Sequence, residues 1–200
     1  ARARGYRSAM RRGVLVLTAV LFALGTTGTN VGPALVDERP RLVLLLSSRN
    51  RNLFGAAPYV DATAFFAIGF VRILVAAVAL YLVGRWYGDA TVRWVERRAG
   101  GMPAEVRWIE RVVARSQSVA VLVFPGSNVV NALVGHAKMP PRRYVPLACV
   151  GIAAKLAFYW WLGDVFESQI RATIAWIDRW QWWVVAALFG LSTLRSIRRR

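Results

Sequence analysis

The chain has 200 residues, 56% of them hydrophobic, yet it carries a formal net charge of +17. A soluble domain this apolar is hard to keep in solution, and a nucleic-acid binder this basic is normally far less apolar. Together the two features point to a helical membrane protein with Arg-rich cytoplasmic loops. Cys149 is the single cysteine, which excludes an intrachain disulfide, and one His beside one Cys leaves little for a Cys/His metal site.

Arg2, Arg4, Arg7, Arg11 and Arg12 precede an apolar run from Gly13 to about Thr29. A basic stretch, an apolar stretch and the small-x-small Ala23-Leu24-Gly25 also describe a signal peptide. Because the rest of the chain is equally membrane-like, the favoured expectation is a first transmembrane helix, at the short end of the spanning range. Residues 30–41 are polar and turn-rich, with Pro33, Asp37, Glu38, Arg39 and Pro40.

Next, Leu42–Leu46 is apolar, Ser47-Ser48-Arg49-Asn50-Arg51-Asn52 is polar, and Leu53–Val60 is apolar again. Neither apolar half spans a hydrocarbon core of about 30 Å. A polar break between two half-length segments predicts a re-entrant hairpin, since non-helical backbone at membrane depth survives only where protein buries it or it lines an aqueous cavity. The alternative is an outer loop with two short surface helices. Ala62–Val83 is a second span with Arg72 near its middle, and 84–117 is a charged connector. Within the connector Pro103 opens a helix with Val106, Ile109 and Val113 on one face and Trp108 as an interfacial anchor, an amphipathic surface helix.

Ser118–Ala137 repeats the hairpin pattern around Pro125-Gly126-Ser127-Asn128, and Lys138–Arg143 is a basic turn. Tyr144–Gly163 is a third span carrying Lys155. Over 164–179 Phe166, Ile170, Ile174 and Ile177 recur at near-helical spacing. Gln181–Ile197 is a fourth span, opened by Trp180, Trp182 and Trp183 in the manner of an aromatic belt.

The expected fold is therefore an all-α integral membrane protein: one membrane domain over 1–200, with about four transmembrane helices and two opposed re-entrant helical hairpins. Its parts are 1–29, 40–83, 84–117, 118–163, 164–179 and 180–200. With both termini inside, the N-terminal arginines, the connector, Lys138, Arg142, Arg143 and the Arg195–Arg200 tail lie in the cytoplasm. Only Arg39, Arg41, Arg171 and Arg179 lie outside. The positive-inside rule favours that multi-pass orientation in a cell membrane, and the inner-leaflet cations suit anionic headgroups better than nucleic acid.

The halves also echo each other: a short arm, a polar break with paired Asn, a second arm, then a span with one cation. Asn50 and Asn52 with Gly69 and Arg72 correspond to Asn128 and Asn131 with Gly151 and Lys155. Inverted repeats with a midplane site between broken helices are the pattern of transporters. Arg72 and Lys155 are the sharpest candidates, because a charge near the bilayer centre is a functional hypothesis by default. Arg gives bidentate phosphate contacts and Lys a point charge. The structural alternative pairs them with Asp61 or with hairpin carbonyls. Arg49 and Arg51 suit an anionic headgroup arriving from outside, and Asn128 and Asn131 suit capping of half-helices. No catalytic residue, cofactor or metal is expected, for want of paired carboxylates, a phosphate loop or a nucleophile triad.

Phe124-Pro125-Gly126, Gly135-His136-Ala137-Lys138-Met139-Pro140, Arg142-Arg143-Tyr144, Gly151, Trp160 and Gly163, with Gly84-Arg85-Trp86-Tyr87-Gly88 upstream, resemble the DedA family, also called the SNARE-associated Golgi protein or VTT family. The resemblance covers roughly residues 40–167, with the look of a divergent actinobacterial branch. It implies two opposed re-entrant hairpins and lipid translocation: undecaprenyl phosphate recycling in some bacterial members, phospholipid scrambling in eukaryotic relatives. Typical members carry Arg three residues before and three after the hairpin proline, where this chain has Leu122 and Asn128. They also carry an acid in the first hairpin, where this chain has Arg49 and Arg51 and the nearest acid is Asp61. The expected function is a lipid transporter, flippase or scramblase acting on an anionic headgroup. The alternative is a non-transporting scaffold subunit of a cell-envelope complex, with a protein partner or as a homo-oligomer. A lipid-phosphate enzyme is a third, weaker option.

Overall fold

Apolar stretches broken by short polar runs leave backbone groups that no lipid can satisfy, so the chain must close its hydrogen bonds helix by helix. The computed structural model describes residues 2–36, 38–99, 111, 113–176 and 179, and among these it is helical without strands. The elements in chain order are α1 (Arg2–Leu35), α2 (Pro40–Leu46), α3 (Asn50–Ala56) with a 3-10 turn over Ala57–Tyr59, α4 (Ala62–Ala99), α5 (Gln117–Val123), α6 (Asn128–His136) and α7 (Pro141–Val165). A further helical stretch covers 167–176.

Three of these helices are long and apolar enough to cross a membrane, over Met10–Gly32, Ala62–Gly88 and Pro141–Val165. They mark a membrane-embedded protein. The expected fourth span over 181–197, its tryptophans, and the connector helix with Pro103, Trp108 and Ile109 lie outside the described residues.

Three expected boundaries shift. Arg142 and Arg143, read as part of a basic turn, lie in α7, which starts at Pro141. Residues 30–35, read as a turn-rich loop, continue α1 with Pro33 inside it. The connector begins as an extension of α4, which runs unbroken through Gly84 and Gly88 to Ala99. At about 1.5 Å per residue these helices are about 51 and 57 Å long, well beyond a hydrocarbon core of about 30 Å. Charge marks where a helix leaves the bilayer, not where it ends. Arg11 on α1 lies 5.9 Å from the Trp86 ring on α4, tying the two at that level.

The packing carries the sequence echo into three dimensions. α2 packs on α4 and α5 packs on α7: each first arm rests on the long helix of its own half. α3 packs on α7 and α6 on α4: each second arm rests on the long helix of the other half. The two long helices also touch each other, and α1 covers α2 and α4.

Burial of apolar surface does not drive helices together in lipid, so close approach and hydrogen bonds must do so. The α4–α6 seam is built on small residues. A Cβ at Gly84 would overlap the Ala132 carbonyl, one at Gly135 the Tyr81 carbonyl, and one at Gly88 the His136 ring. Below it Tyr81 and Tyr144 stack with centroids 4.1 Å apart. The Tyr81 hydroxyl donates to the Met139 carbonyl, to which Arg85 also donates at 3.0 Å. That network pins the turn after α6, where Lys138 takes a left-handed φ of 57°. The seam between α1 and the α2–α3 break is polar instead: Asn52, 4% exposed, donates to Gly28 O at 3.1 Å and to Ser47 O at 3.0 Å.

The 167–176 stretch buries Ile170 and Ile174 and starts at Phe166, which packs edge-on against Phe54. Ile170 and Ile174 of the near-helical series thus fall on the buried side of this helix, while Ile177 lies outside the described residues. Arg171 fastens it to the 3-10 turn, donating to Pro58 O at 2.7 Å and lying 4.8 Å over the Tyr59 ring.

Candidate functional site

The last four carbonyls of a helix have no partner within it. At the end of α2 each finds one. Ser47 N–H donates to Val43 O at 2.9 Å, and the Ser48 hydroxyl to Leu44 O at 2.8 Å. Arg72 supplies the rest, from Nε to Leu45 O at 2.9 Å and from Nη2 to Leu46 O at 3.0 Å. Nη2 also donates to Leu21 O of α1 at 3.1 Å. One guanidinium, projected from the middle of α4, thus closes the first break and ties α1 to it.

The second break is built alike. α5 ends at Val123 with Phe124 as its C-cap, Ser127 N–H donates to Phe124 O at 3.1 Å, and Lys155 Nζ donates to Pro125 O at 3.3 Å. Gly126 stands at φ +75°, with its α-carbon so close to Ile73 that a Cβ would lie 2.7 Å from that methyl. Only glycine turns the chain there without strain or collision. The Ser116 and Ser127 hydroxyls accept from Val119 N–H at 3.4 Å and Val130 N–H at 3.5 Å, so serines hold the N-cap positions of α5 and α6.

A cavity of about 90 Å³ lies where the two breaks meet. Arg72 and Lys155 both line it, with Arg49 and Ser47-Ser48 from the first break, Gly126 and Asn128 from the second, and Thr18 to Gly25 of α1 as a wall. The structure therefore brings together four of the six residues singled out from the sequence: Arg72, Lys155, Arg49 and Asn128. Arg51 is exposed and is not part of the cavity wall. Asn131 is buried in the α4–α6–α7 packing, where its Oδ1 accepts from the Tyr144 hydroxyl at 3.0 Å. Neither Asn128 nor Asn131 caps a half-helix. Asn128 is the first residue of α6 and Asn131 lies inside it.

Asp61 does not meet Arg72. It pairs with Arg41 at 2.6 Å and accepts from Ala64 N–H at 2.9 Å at the start of α4. That backbone donor, with Arg41 second, holds its carboxyl below the usual aspartate range. Sequence reasoning missed Ser47, Ser48 and the α1 wall. The paired serines at the head of the polar run were the available signal; the α1 wall has none.

No family model, no curated protein and no solved structure matches this chain. The resemblance to the DedA family rests on the residues quoted above.

Chemically, the cavity offers two cations from α4 and α7, a third from the first break, and the Asn128 amide. That donor set suits an anion with several oxygens.

Proposed function

We propose that this chain is a membrane lipid transporter or scramblase, resembling DedA proteins, that takes the phosphate headgroup of a polyprenyl phosphate or phospholipid into a polar cavity between two re-entrant hairpins. The helix–break–helix pairs 40–56 and 117–136 are the hairpins, entering from opposite faces of a cell membrane with both termini cytoplasmic. The headgroup sits among Arg72, Lys155 and Arg49 while the chain stays in the bilayer.

The observation that carries this reading is that Arg72 and Lys155, far apart in sequence, line one cavity with both breaks. Their carbonyl partners hold them in place without neutralising them, because a carbonyl is a dipole and not a counter-charge. A phosphate reaching the cavity meets uncompensated positive charge in a low-dielectric setting, where such interactions are strong.

The test is transfer of a fluorescent lipid phosphate between leaflets of proteoliposomes. Lys155→Ala is expected to abolish transfer with folded protein retained. Unchanged transfer in Lys155→Ala and in Arg49→Ala would overturn the site.

A second reading, a non-transporting scaffold of a cell-envelope complex, is favoured by one observation: among the described residues the hydrogen bonds of Arg72 run to main-chain carbonyls, a stitching role. Co-purification of a stoichiometric partner, with no lipid transfer by the isolated chain, supports that reading over the first.

A further inference from the structure

A second cavity, an open groove of about 570 Å³, lies beside the first between the end of α5 and the middle of α7. Its lining includes polar groups on Lys155, Ser127, Asn50 and Tyr159. Its rim is apolar and turned outward: Leu122, Val123 and Phe158 are 38%, 60% and 52% exposed. In a membrane-spanning region such residues face lipid. Gly126 and Lys155 line both cavities, so one lysine stands at the wall they share.

A lipid crossing a bilayer sets opposite demands on its two ends. The headgroup needs polar partners throughout, and the chain must stay out of water. A device that satisfies both is a compartment holding fixed cations, joined along its side to a groove whose apolar rim is open to the bilayer. The two cavities meet that description at Lys155. We propose that the groove between α5 and α7 is a lateral portal, which holds the hydrocarbon chain of a phosphate-headed lipid while its headgroup is held at Lys155. The proposal rests on the lipid-phosphate reading and adds the route of the chain.

Close packing shapes the portal. At Gly151 a Cβ would lie 3.1 Å from Pro125 Cβ and 3.2 Å from Val121 O, so the floor of the groove rests directly on the second break. Ala154, the neighbouring wall residue, is exposed, and a larger side chain there projects into the groove without displacing packed neighbours. Ala153 is exposed too and lines neither cavity.

The experiment uses the full chain in phosphatidylcholine vesicles with a trace of phosphatidic acid bearing a diazirine on its chain. Irradiation is expected to label peptides containing 122–124 and 158. Labelling falls at least tenfold in Ala154→Trp and in Lys155→Met, stays unchanged in Ala153→Trp, and is weak when the diazirine lipid carries a phosphocholine headgroup. Labelling in proportion to exposure along every lipid-facing helix, indifferent to headgroup and to Ala154→Trp, overturns the portal. Lipid transfer in the same vesicles keeps the two claims apart. Labelled portal residues without transfer support the portal as a binding site and sink the transport reading. Transfer that survives Ala154→Trp together with unchanged labelling sinks the portal and leaves transport standing.

Discussion

Arg72 and Lys155 perform the same act in the two halves of the molecule: each reaches from the middle of a long helix to a main-chain carbonyl at the helix break of its own half. The acts differ in weight. Arg72 meets three carbonyls on two other helices and Lys155 meets one, the Pro125 carbonyl. A cation placed to stabilise a break is also placed to receive an anion, and the two roles separate by magnitude.

Removing Arg72 strands the Leu45 and Leu46 carbonyls. A carbonyl left without a donor in lipid, where no water replaces it, costs about 1–3 kcal/mol. Arg72→Met is therefore expected to destabilise the protein by about 3 kcal/mol, and Lys155→Met by about 1 kcal/mol. Thermal unfolding in detergent, followed by size-exclusion fluorescence, reads both. Equal losses would show that the Arg72 contacts carry no weight. If Lys155→Met loses lipid transfer far beyond its loss of stability, that lysine acts on substrate.

Two glycine classes are expected to respond in opposite directions. Gly84→Ala and Gly135→Ala each force a methyl into a facing carbonyl, and overpacking of this kind costs about 1–3 kcal/mol or more. Gly13 has no atom within 4 Å of where a Cβ would stand, so Gly13→Ala gains helix propensity, by up to about 1 kcal/mol. Melting temperatures of the three variants check the sign of each.

Tyr144→Phe removes the donor to buried Asn131, at a cost of about 1–3 kcal/mol. Asn131→Val with Tyr144→Phe replaces both partners by apolar groups, and the double variant is expected to be more stable than the sum of the singles. Strict additivity in that cycle would mean the pair is not coupled.

Asp61 has its carboxyl lowered by the Ala64 N–H and by Arg41. A depressed carboxyl contributes stability that is complete above the unfolded aspartate value, about 3.9, and fades as pH falls through the lower folded value. Wild type is therefore more stable than Asp61→Ala at pH 7, and the difference closes only below about pH 4. A difference independent of pH from 7 to 3 would exclude the charged cap.

The breaks were legible because Ser47–Asn52 and Pro125–Asn128 are polar runs inside apolar sequence, and a lone Arg or Lys in a span stands out against its neighbours. The reach of α1 past Pro33 and of α4 past Gly84 was not legible, because polarity reports the bilayer boundary while helix continuation depends on neighbours such as His136 and Ala132. The carbonyl partners of Arg72 leave no mark either, since main-chain acceptors are present at every residue. Arg49 and Arg51 were indistinguishable by composition. Only the helical start at Asn50 turns one toward the cavity wall and leaves the other outside it.

The most direct test of a lipid phosphate held between the two breaks is native mass spectrometry of the chain extracted gently from its own membrane. The account predicts one retained class of phosphate-bearing lipid, lost in Lys155→Met while the protein stays folded. A lipid-free chain, or the same lipids retained in Lys155→Met as in wild type, would contradict it.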